Sequence, residues 1–317
     1  MNASRADITL QATGGGTVFN RLLRHYERIR AGFVTPVEYM LLCISRGMKK
    51  FLKYDPRIAD KFMARRLINE LRASGCVEKD FYRFKDAKIP ILSDEDAIEF
   101  FPHVMNDDFY CYMYLDDNYQ EKDINELFYL LVEGPYGLVN DKVSVTVESG
   151  DIVIDAGSWI GDFAAYASAK KAVTYAFEPL EANYAVLMKT AELNGGIIPV
   201  KKSLGSSCGK VRLNGISMYA SSHEDETGDI EMVTLDDFVR ENNIPRIDFI
   251  KADIEGFERN MLEGAQETLS RFAPKLALCT YHRPDDPEVI ASLIKKANPK
   301  YNIVQKYMKL FASVPKD

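Results

Sequence analysis

The sequence predicts an α/β fold, a mostly parallel Rossmann-like sheet with an antiparallel last strand, preceded by a mainly helical N-terminal region. Three observations predict it. Residues 151–162, Asp-Ile-Val-Ile-Asp-Ala-Gly-Ser-Trp-Ile-Gly-Asp, run from a short apolar stretch through Gly157 and Gly161 into an amphipathic segment. That order describes a buried strand, a tight turn and a helix N-terminus. Beyond Asp151, apolar runs of strand length alternate with helical periods, as parallel βαβ units require. Finally, Asp155, Glu178, Asp253, Glu255 and His282 all fall at the ends of the apolar runs. In an open parallel sheet those ends form the crevice where ligands bind.

Taken in order, residues 1–16 are polar, end in Gly14-Gly15-Gly16 and are expected to be disordered. Three helices follow. Val18–Arg30 stops at Gly32; Thr35-Pro36-Val37-Glu38 is a capping box with proline at the first helical position; Asp55-Pro56 opens a third helix that closes at Gly75. Between Arg21 and Lys88 there are 17 basic and 8 acidic residues, whereas Ile91–Leu130 holds 11 acidic residues and Lys122 alone. The asymmetry marks either an interaction surface or two stretches that neutralise each other. Glu133-Gly134-Pro135 punctuates the chain, so the helical region is taken as 17–135 and the Rossmann-like domain as 136–317.

Leu138–Glu148 reads as a small hairpin turning at Asn140-Asp141. Strand one is Ile152–Asp155, with its helix over Asp162–Ala169. Strand two is Ala172–Phe177, followed by a helix through Asn194. Strand three is Ile197–Lys201, and Gly205–Ser222 is loop or short hairpin. Glu231–Asn242 is a strand running into a short helix. Strand four, Ile247–Ala252, precedes a helix over Phe257–Phe272, and strand five is Lys275–Thr280. A helix near Glu288–Ala297 and an antiparallel pair, Tyr301–Lys306 with Leu310–Val314, complete the sheet.

Composition excludes several classes. The net charge of −7 argues against a nucleic-acid partner. Cys43, Cys76, Cys111, Cys208 and Cys279 are scattered singly, which argues against a disulfide framework or a zinc site and suits a reducing cytoplasm. The N-terminus lacks an apolar signal core. No membrane span is expected, since the apolar run Tyr39–Ile44 is cut by Ser45, Arg46 and Lys49.

The glycine loop indicates the ligand. A dinucleotide fold uses three glycines to seat a pyrophosphate. Here Asp155-x-Gly157-x-x-x-Gly161 sets a carboxylate at the strand tip, where a phosphate is repelled and a cationic amino-acid group is welcomed. S-adenosylmethionine carries an ammonium and a sulfonium and no phosphate, so Asp155, Gly157, Ser158 and Gly161 are read as its site. Glu178, 21 residues beyond Gly157, is placed to accept from a ribose diol, a spacing that equally suits NAD.

Val153–Asp162, Ala176-Phe-Glu-Pro179, Val233–Phe238, Ile247–Glu258 and Met261-Leu-Glu-Gly264 occur in that order. Together they resemble the FkbM-type S-adenosylmethionine-dependent methyltransferases over about residues 148–285. The resemblance implies a class I methyltransferase fold and O-methylation of a hydroxyl on a sugar or natural product, so the partner is a small-molecule or glycan acceptor. Trp159 stands where smaller residues are common in the family; it either narrows the methionine end of the pocket or packs on the helix.

Methyl transfer to an alcohol needs alignment and a base. His282 is the first candidate, because imidazole titrates near neutrality; Asp253 and Glu255 are alternatives, as base or as holders of acceptor hydroxyls. Asp253 also borders the cofactor. Asp253 and Glu255 could also bind a divalent metal, but spacing fixes no third ligand and no metal site is assigned. Lys251, inside strand four, needs a partner such as Asp236 or Asp253. His25, His103 and His223 lack metal-ligand spacing, and Asp236-Asp237 is expected to cap a helix. The alternative function is a catalytically silent adenosine-binding module whose N-terminal helices dock a partner. An NAD-dependent oxidoreductase fits less well, for want of the third glycine.

Overall fold

The computed structural model describes residues 78–84, 86–91, 136–214, 221–224, 229–306 and 308–315. All belong to the compact unit Ala64–Asp317. The expected disorder of residues 1–16, the three helices up to Gly75, His25 and His103 lie outside the described residues. In the region expected to be mainly helical, the described stretch is a hairpin, with β1 (Phe81–Phe84) antiparallel to β2 (Ala87–Pro90). Aromatic and β-branched alternation explains it: Tyr82, Ala87 and Ile89 are buried. Asn194 pins this hairpin, accepting from the Lys88 amide at 3.0 Å and donating to the Lys88 carbonyl at 2.7 Å.

A second hairpin joins β3 (Leu138–Val139) to β4 (Ser144–Val145). Its turn is closed by the Asn140 side chain, which accepts from the amides of Lys142 and Val143, both at 2.9 Å.

The main sheet is built from β5 (Ile152–Ala156), β6 (Val173–Phe177), β7 (Ile197–Val200), β12 (Phe249–Ala252), β13 (Lys275–Cys279), β14 (Asn302–Lys306) and β15 (Lys309–Ser313). Its order is β14-β15-β13-β12-β5-β6-β7, with β15 antiparallel to both its neighbours and the other pairings parallel. The chain winds outward from β5 through β6 to β7, then returns to lay β12 on the other side of β5. That reversal opens the crevice at the carboxyl ends of β5 and β12. This is the order of a class I methyltransferase sheet, as the resemblance implied.

Strand alternation divides the core. Val153, Phe249, Ala277 and Phe311 face one side, where they meet Phe163 of α1 (Asp162–Ala169) and Val145 of β4. Ile154, Ile250, Leu276, Leu278, Leu310 and Ala312 face the other, against residues of α3 (Leu235–Glu241), α5 (Gln266–Phe272) and α6 (Asp286–Ala297). Helix α2 (Glu181–Leu193) follows β6. Burial on both faces is why these strands read as continuous apolar runs.

Two expectations are refined. Gly205–Ser222 forms the hairpin alternative: β9 (Gly209–Asn214) pairs with β10 (Ser221–Glu224) in a side sheet, ordered β10-β9-β11-β8, with β8 (Ser203–Leu204) and β11 (Ile230–Val233). The helix expected over Phe257–Phe272 is two helices, α4 (Glu258–Glu263) and α5. The break has a tertiary cause. A Cβ at Gly264 would lie 2.1 Å from the Gly205 carbonyl oxygen. The Asp236 amide donates to the Gly264 carbonyl at 3.0 Å. The Asp236 carboxylate accepts from the amides of Glu267 (2.9 Å) and Thr268 (2.7 Å), capping α5 from a distance. Thr234, not Asp236, caps α3, accepting from the Asp237 amide at 3.0 Å. Among the described residues, no helix is long and apolar enough to cross a membrane.

Candidate active site

Asp155, at the carboxyl end of β5, is fully buried, and Lys251 faces it across the β5–β12 register. Lys251 Nζ lies 3.0 Å from Asp155 Oδ1 and donates to the Gly157 carbonyl at 2.5 Å. This corrects the partner expected for Lys251: Asp155 holds it, through direct strand adjacency that residue spacing does not reveal. Burial works to lower the lysine's pKa, but the charges of Asp155, Asp253 and Asp162 outweigh it and raise it. Asp155 is thus neutralised within the protein, which weakens the argument that its charge selects a cationic ligand. Its role is to fix the loop, and its Oδ2 meets no hydrogen-bond donor among the described residues.

The loop spends most of its amides internally. Those of Gly157 (3.1 Å) and Ser158 (2.9 Å) donate to the Phe177 carbonyl, and that of Gly161 donates to the Ser158 carbonyl at 2.7 Å. The Trp159 amide donates to Glu178 Oε2 at 3.0 Å, and that of Phe163 to Asp162 Oδ1 at 2.8 Å. The Ser158 hydroxyl turns back onto the Asp155 carbonyl at 2.7 Å, so the side chain shapes the turn. Gly157 sits at φ +73°, and a Cβ there would come within 1.9 Å of the Asp253 carbonyl oxygen. The glycine lets the β5 tip touch the β12 tip. Trp159 is partly exposed at φ 50°, tied by its amide to the tip of β6.

Glu178 ends β6 and is buried. Its Oε1 accepts from the Leu180 amide at 2.8 Å and its Oε2 from Trp159, so it ties the loop to the start of α2. Burial pushes its carboxyl up to about 7, against the lowering effect of those bonds. Each carboxylate oxygen has a second lone pair, which leaves capacity for a ligand diol.

The tips of β12 and β13 carry the second half of the site. Asp253 accepts from the Tyr136 hydroxyl at Oδ2 (2.9 Å) and from the Tyr281 hydroxyl at Oδ1 (2.9 Å). His282 Nε2 lies 3.6 Å from Asp253 Oδ1 and 3.5 Å from Glu255 Oε2, while Nδ1 lies 3.3 Å from Glu258 Oε1. Glu255, at φ 56°, and Gly256, at φ 90°, turn the chain so that Glu255 and Glu258 both face the imidazole. Glu258 is fully buried; its Oε1 accepts from the Ile254 amide at 2.8 Å and its Oε2 has no hydrogen-bond partner among the described residues. Burial works to lower the His282 pKa, but the facing carboxylates outweigh it and push it up to about 11. Glu255 is raised above the usual carboxylate range, chiefly by burial.

The structure therefore collects Asp253, Glu255 and His282 in one cluster and Asp155, Gly157, Ser158, Gly161 and Glu178 in an adjoining one, joined where Gly157 touches Asp253. Sequence reasoning missed Glu258, Tyr136 and Tyr281. Glu258 lies three residues beyond Glu255, but Glu255 is left-handed and precedes α4, so helical spacing does not place the two carboxylates together. Tyr136, 117 residues from Asp253, carries no sequence signal.

Parts of this chain are similar to known proteins. Residues 151–301 match the methyltransferase FkbM domain. A curated relative, the hexuronic acid methyltransferase AglP of Haloferax volcanii, is 28% identical over 155 residues, which make up 47% of this chain and 64% of AglP; the chain thus spans less than two thirds of that relative. Among solved structures, methyltransferase FkbM from Methylobacillus flagellatus aligns over 82% of this chain and 62% of its own, at 20% identity and a TM-score of 0.43. Fibrillarin from Aeropyrum pernix, solved with natively bound S-adenosyl-L-methionine, aligns over 54% of this chain and 70% of its own, at 12% identity and a TM-score of 0.36.

Proposed function

We propose that this chain, whose residues 151–301 match the methyltransferase FkbM domain, methylates a hydroxyl group of a sugar or sugar-bearing natural product, with S-adenosylmethionine as donor. The observation that carries the reading is the β5–α1 loop. The amides of Gly157, Ser158, Trp159, Gly161 and Phe163 are bonded inside the protein, so these five are not free to cradle a pyrophosphate. A dinucleotide is disfavoured on that ground, independently of the missing third glycine.

The residues fit a donor without phosphate. S-adenosylmethionine, when bound, supplies an electrophilic methyl group on a sulfonium. Glu178 at the β6 tip has lone pairs to accept from a ribose diol, and Asp155 keeps a buried oxygen with no donor among the described residues. The Asp155–Lys251 pair holds the glycine loop rigid, which preserves alignment at the strand tips. Such positioning is worth effective molarities of about 10⁵–10⁸ M in oriented reactions.

The acceptor hydroxyl must lose its proton as its oxygen–methyl bond forms and the sulfur–methyl bond breaks. Glu255 takes that proton. Asp253 already accepts from two tyrosine hydroxyls, Glu258 is fully buried, and His282 has carboxylates at both nitrogens. Glu255 is the member with an exposed edge, its side chain 38% accessible. His282 and Asp253 position it and the acceptor. The relative's name supports a sugar acid as the acceptor class.

Calorimetric titration with S-adenosylmethionine, S-adenosylhomocysteine and NAD, followed by methyl-transfer assays on hexuronic acids and their glycosides, tests this reading. Binding of the adenosyl compounds with methyl transfer to oxygen supports it. Binding of NAD alone overturns it, and binding without transfer to any hydroxyl acceptor leaves an adenosine-binding module.

A further inference from the structure

We infer that Asp253, Glu258 and His282 form a binding site for one divalent cation of the Mn²⁺ class at the tips of β12 and β13. The inference rests on the proposed function for its role and on geometry for its existence. One ligand atom from each of the three residues lies within 4.8 Å of the others. Six-coordinate cations with ligands at about 2.1 Å need separations of about 3 Å for adjacent ligands and about 4.2 Å for opposite ones. The nearest pairs are His282 Nδ1 to Glu258 Oε1 at 3.3 Å and His282 Nε2 to Asp253 Oδ1 at 3.6 Å, so the side chains must turn to bring one nitrogen and both carboxylates onto a single ion.

Two further observations point to a ligand. Glu258 has no exposed surface, yet its Oε2 has no hydrogen-bond partner among the described residues. Both imidazole nitrogens of His282, whose side chain is 10% exposed, are likewise without a hydrogen-bonded partner there, their nearest carboxylates standing at 3.3 to 3.6 Å. Three carboxylates face the one imidazole of His282, so its single positive charge leaves a negative excess among them. A dication taking the place of the imidazole proton supplies a larger positive charge and closes the gaps. Two carboxylates and one imidazole are a mixed hard-oxygen and nitrogen set, which suits Mn²⁺ better than thiophilic metals.

Three protein ligands leave part of the coordination sphere for water or for acceptor oxygens. The open side abuts Glu255, 3.5 Å from His282, where the acceptor hydroxyl is deprotonated. A hydroxyl on the cation is more acidic, so the site would both orient the sugar and ease its deprotonation.

The test uses the full chain stripped with a chelator, then titrated with MnCl₂ by calorimetry and by the loss of the free Mn²⁺ electron spin resonance signal. One Mn²⁺ per chain at micromolar concentrations is expected. Glu258→Gln, which retains an acceptor for the Ile254 amide, and His282→Asn should each weaken binding tenfold or more. Circular dichroism melting of each variant establishes that it is folded. Absence of binding at millimolar Mn²⁺, or binding unchanged in both folded variants, overturns the inference. S-adenosylmethionine titrated into the same stripped samples separates the two claims, since donor binding without Mn²⁺ binding removes only the cation, and the converse removes only the donor reading.

Discussion

Lys251 Nζ stands 3.0 Å from Asp155 Oδ1, each residue nearly or fully buried, on adjacent strands at the point where the sheet reverses its winding. One ammonium joins the strand, the loop carbonyl of Gly157 and the field of Asp253 and Asp162. The pair is therefore the keystone between the cofactor loop and the acidic cluster, and it sets the terms of the first prediction.

Lys251→Met leaves Asp155 charged and alone in the core. Breaking a buried pair from one side costs about 3–5 kcal/mol. Urea unfolding should show a loss of that order, and the double variant Lys251→Met/Asp155→Asn should regain part of it. A single variant as stable as the parent would mean that the pair contributes nothing.

Asp162 should make stability depend on pH. Burial pushes its carboxyl up to about 7, reinforced by Asp155 and opposed by Lys251. Its folded pKa lies above its unfolded one, so the folded state holds the proton more tightly. The stabilisation is full below the ordinary carboxylate range and is lost as pH rises to about 7, by at most about 1.4 kcal/mol per pH unit for one proton. Glu178 acts in the same direction over the same window. Chemical denaturation at pH 5 and pH 7.5 should show the parent weakening, and Asp162→Asn weakening less. Equal slopes would contradict the assignment.

Glu178→Ala removes the acceptor for the Trp159 and Leu180 amides. A stability loss of roughly 1–3 kcal/mol is expected from the freed amides. Affinity for S-adenosylmethionine should fall by tenfold or more by calorimetry. Undiminished affinity in the folded variant would take Glu178 out of the site.

At Gly157 the added methyl of Gly157→Ala meets the Asp253 carbonyl oxygen and a left-handed backbone. Strain of about 1–3 kcal/mol is expected, together with separation of the β5 and β12 tips. Melting temperature and donor affinity should fall together. A neutral substitution would show that the two tips do not need to touch.

Glu255→Gln keeps the side chain's size and removes its basicity. Turnover should fall by about 10²-fold or more, the range for general-base catalysis, with donor affinity unchanged. Retained turnover would return the role to Asp253 or His282.

Much of this was legible in the residues themselves. Short apolar runs and their punctuation mark each strand of the main sheet to within one or two residues, because the central strands are buried on both faces and are built mostly from apolar residues. The helix expected over Phe257–Phe272 shows the limit. Its apolar period continues through Gly264, and only the approach of the Gly205 carbonyl and the remote cap from Asp236 divide it.

Site residues divide in the same way. Asp155, Glu178, Asp253, Glu255 and His282 are local features, each polar where an apolar run ends, so the sequence by itself determined that they stand at the strand tips. What they do there was decided by tertiary structure. The pairing of Lys251 with Asp155, the tyrosines on Asp253 and the enclosure of His282 by Glu255 and Glu258 depend on strand register and on turns at Gly157 and Gly256. Charge and protonation follow distances and burial in three dimensions, and neither is a property of sequence spacing.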